Sequence, residues 1–515
     1  MFKAFRVVIL LVASAAPAMA QQAAPPRPAA PPAGGASLAL SMDRAVTMAL
    51  ETNLGLKADR LSTNVAAEDV AIARAAFKPQ LRSSFQRATS DQLPNSFLEN
   101  VSVVSTGNTQ VSSSISQLLP KYGGGYSVQW AGTRSSTTAA LSAFNPRLGS
   151  SLSVSFQQPL MRNLLIDSNR FGLVSSEKTR QIADLTLESR IARTRNDVQQ
   201  AYLSLIGAIE GLKIAQANMS LAQENLANFR RRVGVGVSAD IEIIQAEAQV
   251  AGNEEQVVVA EAAIGTSEDV LRALILDPQR PDYWTVKLQP SDTIAALPKD
   301  IDVEAAIKNA LTSRLDLIAA RRQQEITNLG IRLDENLVKP DVTFSVNYTA
   351  QGTGGTQFSY SQGFPPVILA QTDRSFGSVL GDAFAGTYPA WTAGVTFSYP
   401  IGMSAAKGAL ARGRLQKQQE DLTIRNLELQ IATTVRNAAR DVQSNFKRVE
   451  ATKKAREATE RQLDAEQRKF GVGLSSSFEL QTRQRELAQA RVAELNAMLA
   501  YNRAVITFER VQKIQ

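Results

Sequence analysis

The sequence predicts a mainly α chain with a transmembrane β-barrel portion: an internally duplicated wall of long coiled-coil helices, plus β-hairpins that several copies share in one barrel. Three observations predict it. No proline falls between Leu160 and Asp277, or between Ile401 and the C-terminus. A proline inside a helix costs roughly 3 kcal/mol, so both stretches are helical territory. The segments between Pro79 and Pro159 and between Pro340 and Pro400 are instead rich in Ser, Thr, Gly and aromatics and poor in charge. Runs such as Leu152-Ser153-Val154-Ser155-Phe156 and Val342-Thr343-Phe344-Ser345-Val346-Asn347-Tyr348 alternate with the period of a strand. Finally, the chain repeats itself. At a shift of 261, Ala45, Leu50, Leu54, Arg60 and Pro79 fall on Ala306, Leu311, Leu315, Arg321 and Pro340. At a shift of 237, Arg231, Gly234, Val235, Gly236 and Glu242 fall on Arg468, Gly471, Val472, Gly473 and Glu479.

The elements follow in order. Residues 1–20 read as a secretory signal, with Lys3 and Arg6 before a short apolar core and Ala18-Met19-Ala20 as the cleavage site. Residues 21–37 are Ala/Pro-rich and read as disordered. The first repeat, 38–276, holds a helix, a β-hairpin over 79–159, a long helix, a tip turn over 233–237 and a return helix. A linker over 277–300 leads to the second repeat, 301–515, with its hairpin over 340–400 and tip turn over 470–474. The first hairpin segment has room for an extra strand pair around Lys121-Tyr122-Gly123-Gly124-Gly125, so four or six strands per chain are open. Each long helix, from about Ser168 to Arg232 and from about Ser404 to Lys469, extends ~97 Å at 1.5 Å per residue. No globular core is that long. Ile191, Val198, Leu205, Leu212, Met219, Leu226 and Val233 stand seven apart, a left-handed coiled-coil signal. The second seam keeps Val435, Val442, Val449, Leu463 and Phe470 but places Arg456 within it.

Composition removes much chemistry. The 515 residues include no Cys and no His. Disulfides, thiolate nucleophiles, imidazole bases and ordinary zinc sites are excluded, and no catalytic, cofactor or metal site is expected. Glu254-Glu255 are adjacent on a helix and do not face each other, which reads as a solvated face. The formal charge is +8 from 56 basic and 48 acidic residues. Without Lys3 and Arg6, 54 basic residues face 48 acidic ones, leaving +6. The surplus is spread out, its longest run being Arg230-Arg231-Arg232, so nucleic acid is not an expected partner. Open sheet edges cannot enter lipid, so membrane β-structure must close. Two hairpins supply about four strands, fewer than the ~8 of the smallest barrels, so several copies must share one.

The sequence resembles the TolC family of outer-membrane channel-tunnel proteins across about residues 38–513. The resemblance rests on Met42-Asp43-Arg44-Ala45-Val46, Gln158-Pro159-Leu160, Ser398-Tyr399-Pro400-Ile401-Gly402 and, above all, the paired turns at 230–236 and 468–473. It implies a homotrimer in outer-membrane lipid, with the helical tunnel in the periplasm, twelve barrel strands and twelve helices. It also implies a periplasmic adaptor (membrane fusion) protein and an inner-membrane RND or ABC transporter as partners. The expected role is the exit duct of a tripartite efflux pump for small toxic compounds. A type I protein-secretion duct is the alternative of the same fold; a periplasmic coiled-coil structural protein and, more distantly, a carboxylate enzyme are the others.

In the resembled family the tips dock the adaptor. Val233, Gly234, Val235, Phe470, Gly471 and Val472 are therefore the expected docking residues, with Gly234 and Gly471 as C-caps at positive φ and the four apolar side chains exposed. Asp240 occupies the family's gate aspartate, with Arg230, Arg231, Arg232 and Arg468 as available donors. Ser477 stands where the family often has an acid. Tyr126, Trp130, Phe156, Phe344, Tyr348, Trp391, Phe397 and Tyr399 are expected in aromatic girdles.

Overall fold

A computed structural model describes residues 37–94, 101–236, 239–362, 366–402 and 404–514. The expected signal and nearly all of the Ala/Pro-rich segment lie outside the described residues. Ser37 does not belong to a disordered stretch: it opens β1 (Ser37–Leu40), which pairs in parallel with β6 (Lys287–Pro290). The linker expected over 277–300 thus contains a strand. Tyr202 ties the two together, because its buried hydroxyl donates to the Leu40 carbonyl oxygen at 2.7 Å. Burial, with the Asp292 carboxylate at 3.0 Å, pushes that hydroxyl up to about 12, so it remains a donor at any physiological pH.

Each repeat opens with two helices rather than one. They are α1 (Met42–Thr52) and α2 (Leu54–Ala75) in the first, and α5 (Val303–Ser313) and α6 (Leu315–Leu337) in the second. The breaks fall on equivalent residues, Asn53 (φ −57°, ψ 120°) and Arg314 (φ −68°, ψ 125°), both outside the helical region. The long helices are α3 (Ser168–Gly234) and α8 (Ala405–Gly471), each of 67 residues and about 100 Å. Asp167 accepts from the backbone N–H groups of Asn169 and Arg170 at the start of α3, and Ser404 from that of Lys407 at the start of α8. The return helices are α4 (Asp240–Ile275) and α9 (Ser477–Val511).

These helices pack side by side as a wall. In its upper part α3 lies between α2 and α6, and α6 also packs on α8; in the lower part α3 lies between α4 and α9, and α9 also packs on α8. Among the described residues, the two largest apolar cores lie at mid-height. One joins Val198, Tyr202 and Leu205 to Leu271 and Ile275; the other joins Ile431, Val435 and Val442 to Ala497, Tyr501 and Phe508. Arg456 does not break the second seam. Its guanidinium meets Glu494 of α9 at 2.6 Å and Glu460 at 2.8 Å, so the charge is compensated where it is half-buried.

The first β segment is four strands, not a single hairpin: β2 (Gln80–Gln92), β3 (Val104–Leu118), β4 (Gly125–Thr137) and β5 (Phe144–Pro159). The second contributes β7 (Asp341–Tyr360), β8 (Ile368–Arg374) and β9 (Tyr388–Ser398), with helix α7 (Phe376–Ala385) between the last two. All seven belong to one antiparallel sheet in the order β2-β3-β4-β5-β7. Beyond β7, β9 pairs with Asp341–Gln351 and β8 with Gly355–Tyr360, so both occupy the same edge of β7 at different heights. A section across the lower sheet therefore meets six strands.

Candidate functional site

The sheet sorts its side chains by face. Leu81, Ile115, Val128, Val154, Tyr348 and Trp391 lie on one register line across the six strands. The adjacent line reads Arg82, Ser114, Gln129, Ser153, Thr349 and Ala390, on the opposite face. Polar neighbours on that face pair across strands, Ser127 with Ser155 at 2.6 Å and Ser153 with Thr349 at 3.0 Å. A cavity of about 650 Å³ at the foot of the sheet is lined by Gln80, Ser116, Ser127, Ser155 and Thr343, and another of about 450 Å³ by Ala131, Thr133, Ser151, Thr349 and Gln351. Both open on the polar face, which is therefore the concave one. Trp391 and Phe397 stand 73% and 68% exposed on the convex face, where water would penalise them and lipid would not. Of the residues expected in girdles, Tyr126, Trp130, Phe156, Phe344, Tyr348, Trp391 and Phe397 all share the convex face, and Tyr399 lies just beyond β9.

At the other end, about 100 Å away along α3 and α8, the two turns form the tips. Gly234 and Gly471 are the last helical residues, and positive φ falls instead on Gly236 (76°) and Gly473 (78°). The helix runs through the first glycine because Val235 and Val472 still donate to the carbonyls of Arg231 and Arg468. The reversal comes two residues later. The expectation for Gly234 and Gly471 is corrected accordingly. So is the expectation that all four apolar tip residues are exposed. Phe470 packs edge-on against Phe229 at 5.7 Å, and the Arg232 guanidinium lies 4.4 Å over its ring, so Phe470 fastens one tip to the other. Val233 is half-buried, whereas Val235 and Val472 are 74% and 72% exposed. Ile241, Ile244, Leu474 and Phe478 join them at the surface and were missed, although apolar residues bracketing a glycine turn were visible in the sequence.

The gate candidates are not joined within one chain. Arg230 pairs with Glu247 of α4 at 2.7 Å, Arg231 with Asn228, and Arg468 with Asp464. The Asp240 carboxylate makes no hydrogen bond or ion pair with any described residue of its own chain. It lies exposed in the first turn of α4, whose N-cap Ala239 offers no side-chain acceptor, so its charge meets the helix dipole. Ser477, its counterpart on α9, is buried.

The family profile of the outer membrane efflux proteins matches residues 45–275 and 306–511, the two repeats described above. The chain belongs to that family. Members of this efflux family are channels, and the protein resides in the outer membrane with its helical tunnel in the periplasm. The chain is 25% identical over 248 residues to the outer membrane protein TolC of Vibrio cholerae, covering 44% of this chain and 55% of that relative. It thus spans about half the length of the curated relative it matches. Among solved structures, the CmeC outer membrane channel of Campylobacter jejuni superposes with a TM-score of 0.64 at 14% identity, over 92% of this chain and 85% of that one. A membrane protein of Pseudomonas aeruginosa does so at 0.66 and 15%, over 95% and 99%.

One tip contact of this efflux-family chain titrates. The Ser475 hydroxyl donates to the Glu466 carboxylate, and the Lys469 ammonium lies 3.6 Å away. Led by the Ser475 bond, and against partial desolvation, they hold the Glu466 carboxyl below its usual range. A lowered folded pKa supplies stability above the unfolded value and loses it as pH falls through the folded one. Protection of the α8–α9 turn from hydrogen exchange is therefore expected to persist at neutral pH and weaken in acid. Glu466→Gln should flatten that dependence; an unchanged pH profile would show that this contact does not secure the turn.

Proposed function

We propose that three copies close into one tube that serves as the exit duct of a tripartite efflux pump. It would carry small toxic compounds from the periplasm to the exterior, with a periplasmic adaptor docking at the tips and an inner-membrane transporter supplying the energy. The observation that carries this reading is that both lateral edges of the chain are open at once, in the sheet and in the helical wall. β2 and β9 each lack a partner on one side among the described residues. On α8, Leu415, Leu422 and Leu429 stand seven apart and are 65%, 65% and 66% exposed; on α2, Leu61, Val65 and Ile72 form a matching apolar stripe at the opposite edge. A neighbouring copy covers each stripe with the other and pairs β9 with β2, which run in opposite directions. The concave polar face of the sheet then continues into the lumen of the helical wall.

The tip glycines offer a clean test. Among the described residues, nothing lies within 4 Å of a Cβ built at Gly234 or Gly471, and neither has positive φ. Gly234→Glu and Gly471→Glu should therefore fold and reach the membrane at normal level, while placing a charge beside exposed Val235 and Val472. The expected result is loss of drug export with the channel present. Normal export in both variants would show that the adaptor does not dock there.

For Asp240, the reading requires a donor from a neighbouring copy, because Arg230, Arg231 and Arg468 are engaged within their own chain. Asp240→Ala is then expected to raise single-channel conductance in planar bilayers several-fold in the absence of adaptor, since three copies lose the same contact and favour the open state. Unchanged conductance would leave Asp240 with only its helix-dipole role.

A further inference from the structure

The hairpin β3–β4 lies inside the sheet, between β2 and β5. It is a full-height part of the sheet. β3 pairs with β2 over 13 consecutive positions and β4 with β5 over 11. Its lower turn is fixed at the foot of the barrel, where Leu119 N–H donates to the Gly124 carbonyl at 2.7 Å and the Gln158 amide donates to the Tyr122 carbonyl at 2.7 Å. Tyr122 and Gly123 both adopt positive φ there. The six strands β2, β3, β4, β5, β7 and β9 have 13, 15, 13, 16, 20 and 11 residues, each enough for the ~9–11 that a tilted strand needs to cross a bilayer. The hairpin also obeys the sorting of its neighbours, with Val111, Ile115 and Val128 convex and Ser112, Ser114 and Gln129 concave. A hairpin lying outside the barrel would have no reason to keep that alternation in register with the rest.

We propose that this chain forms an eighteen-stranded outlet, a wide and nearly uncharged bore that passes bulky hydrated cargo without selecting it, so that size and charge are sieved at the helical tips alone. The proposal rests on closure by three copies. Strands about 4.8 Å apart and tilted about 40° give a backbone diameter of about 36 Å for eighteen strands against about 24 Å for twelve. The concave side chains are short: Ser and Thr predominate, and among residues facing the bore within the six strands only Arg82, Arg147 and Asp341 are charged. Such a surface offers no aromatic slide or charged ring with which to discriminate.

The chain has no cysteine, so single thiols report cleanly. Ser112→Cys and Ser114→Cys should react with a charged, water-soluble maleimide in the membrane-embedded protein. Val111→Cys and Ile115→Cys should resist it, and a fluorophore carried there should be quenched by lipid-borne quenchers. In planar bilayers, polyethylene glycols added only on the extracellular side should enter and lower conductance up to a diameter at least about 1.5-fold larger than a twelve-stranded bore admits. Loss of the labelling alternation, or a polymer cut-off at the twelve-stranded width, would overturn the proposal. Both measurements use the purified channel without adaptor or pump, so their outcome is independent of whether the protein serves in efflux.

Discussion

Val154→Arg is expected to remove the protein from the outer membrane, whereas Ser153→Arg, one residue away on the same strand, leaves it assembled. Val154 lies on the convex register line between Val128 and Tyr348, and Ser153 on the concave line between Gln129 and Thr349. An arginine facing lipid near the bilayer midplane costs about 2–4 kcal/mol, and in a shared barrel the cost recurs in every copy. For three copies the cost is about 6–12 kcal/mol, as large as a whole native stability of about 5–15 kcal/mol. An arginine facing the lumen stays hydrated and alters conductance instead. The check is the amount of assembled protein in the outer-membrane fraction for the two variants. Equal levels would mean that the convex face does not meet lipid.

Arg314→Ala should be the most damaging single change in the helical wall, at about 3 kcal/mol. Arg314 is 1% exposed, and its guanidinium holds the Asp316 carboxylate through Nε at 2.9 Å and Nη2 at 2.5 Å while Nη1 reaches the Val511 carbonyl at 3.4 Å. Removing it leaves a partly buried carboxylate uncompensated and frees the end of α9. The duplication shows what the contact is for. In the first repeat the equivalent residue, Asn53, donates its amide to the Leu274 carbonyl at 3.3 Å and caps α2 by accepting from Leu56 N–H at 3.0 Å. Leu274 and Val511 are themselves equivalent at the shift of 237. Two different side chains thus fasten the return helix to the break between the opening helices. Asn53→Ala loses neutral bonds only and should cost about 1–2 kcal/mol. Thermal unfolding of the detergent-extracted protein ranks the two, and a smaller loss for Arg314→Ala would contradict the assignment.

The long helices were legible because proline is missing from them and because the heptad places Val198, Leu205, Val435 and Val442 in the cores. Other features depend on tertiary structure that no local pattern encodes. The ten residues of α7 sit in a segment read only as hairpin. They form a helix on the convex face because Gly352 and Gly354 have no side chain to meet the Val379 backbone and side chain, and Gly132 none to meet Phe376. The β3–β4 insertion left one trace, the glycine run after Tyr122, which marks a turn but not the length of the strands leaving it. At the tips, Gly-Val-Gly offers two candidate positions for the reversal, and only backbone bonding from Val235 and Val472 decides that the second glycine takes positive φ. The apolar character of the proposed docking surface was readable. Its membership was not, because the packing of Phe470 on Phe229 and Arg232 joins residues more than 200 positions apart.

The most direct measurement is the native mass of the complex released from the outer-membrane fraction by gentle detergent, taken on the unaltered chain. Open strand edges and open heptad stripes on the same two sides of each chain require neighbours on both sides. The expected result is a single species of three copies, found in the outer membrane. A monomer recovered from the soluble periplasmic fraction would contradict the shared barrel and, with it, the duct.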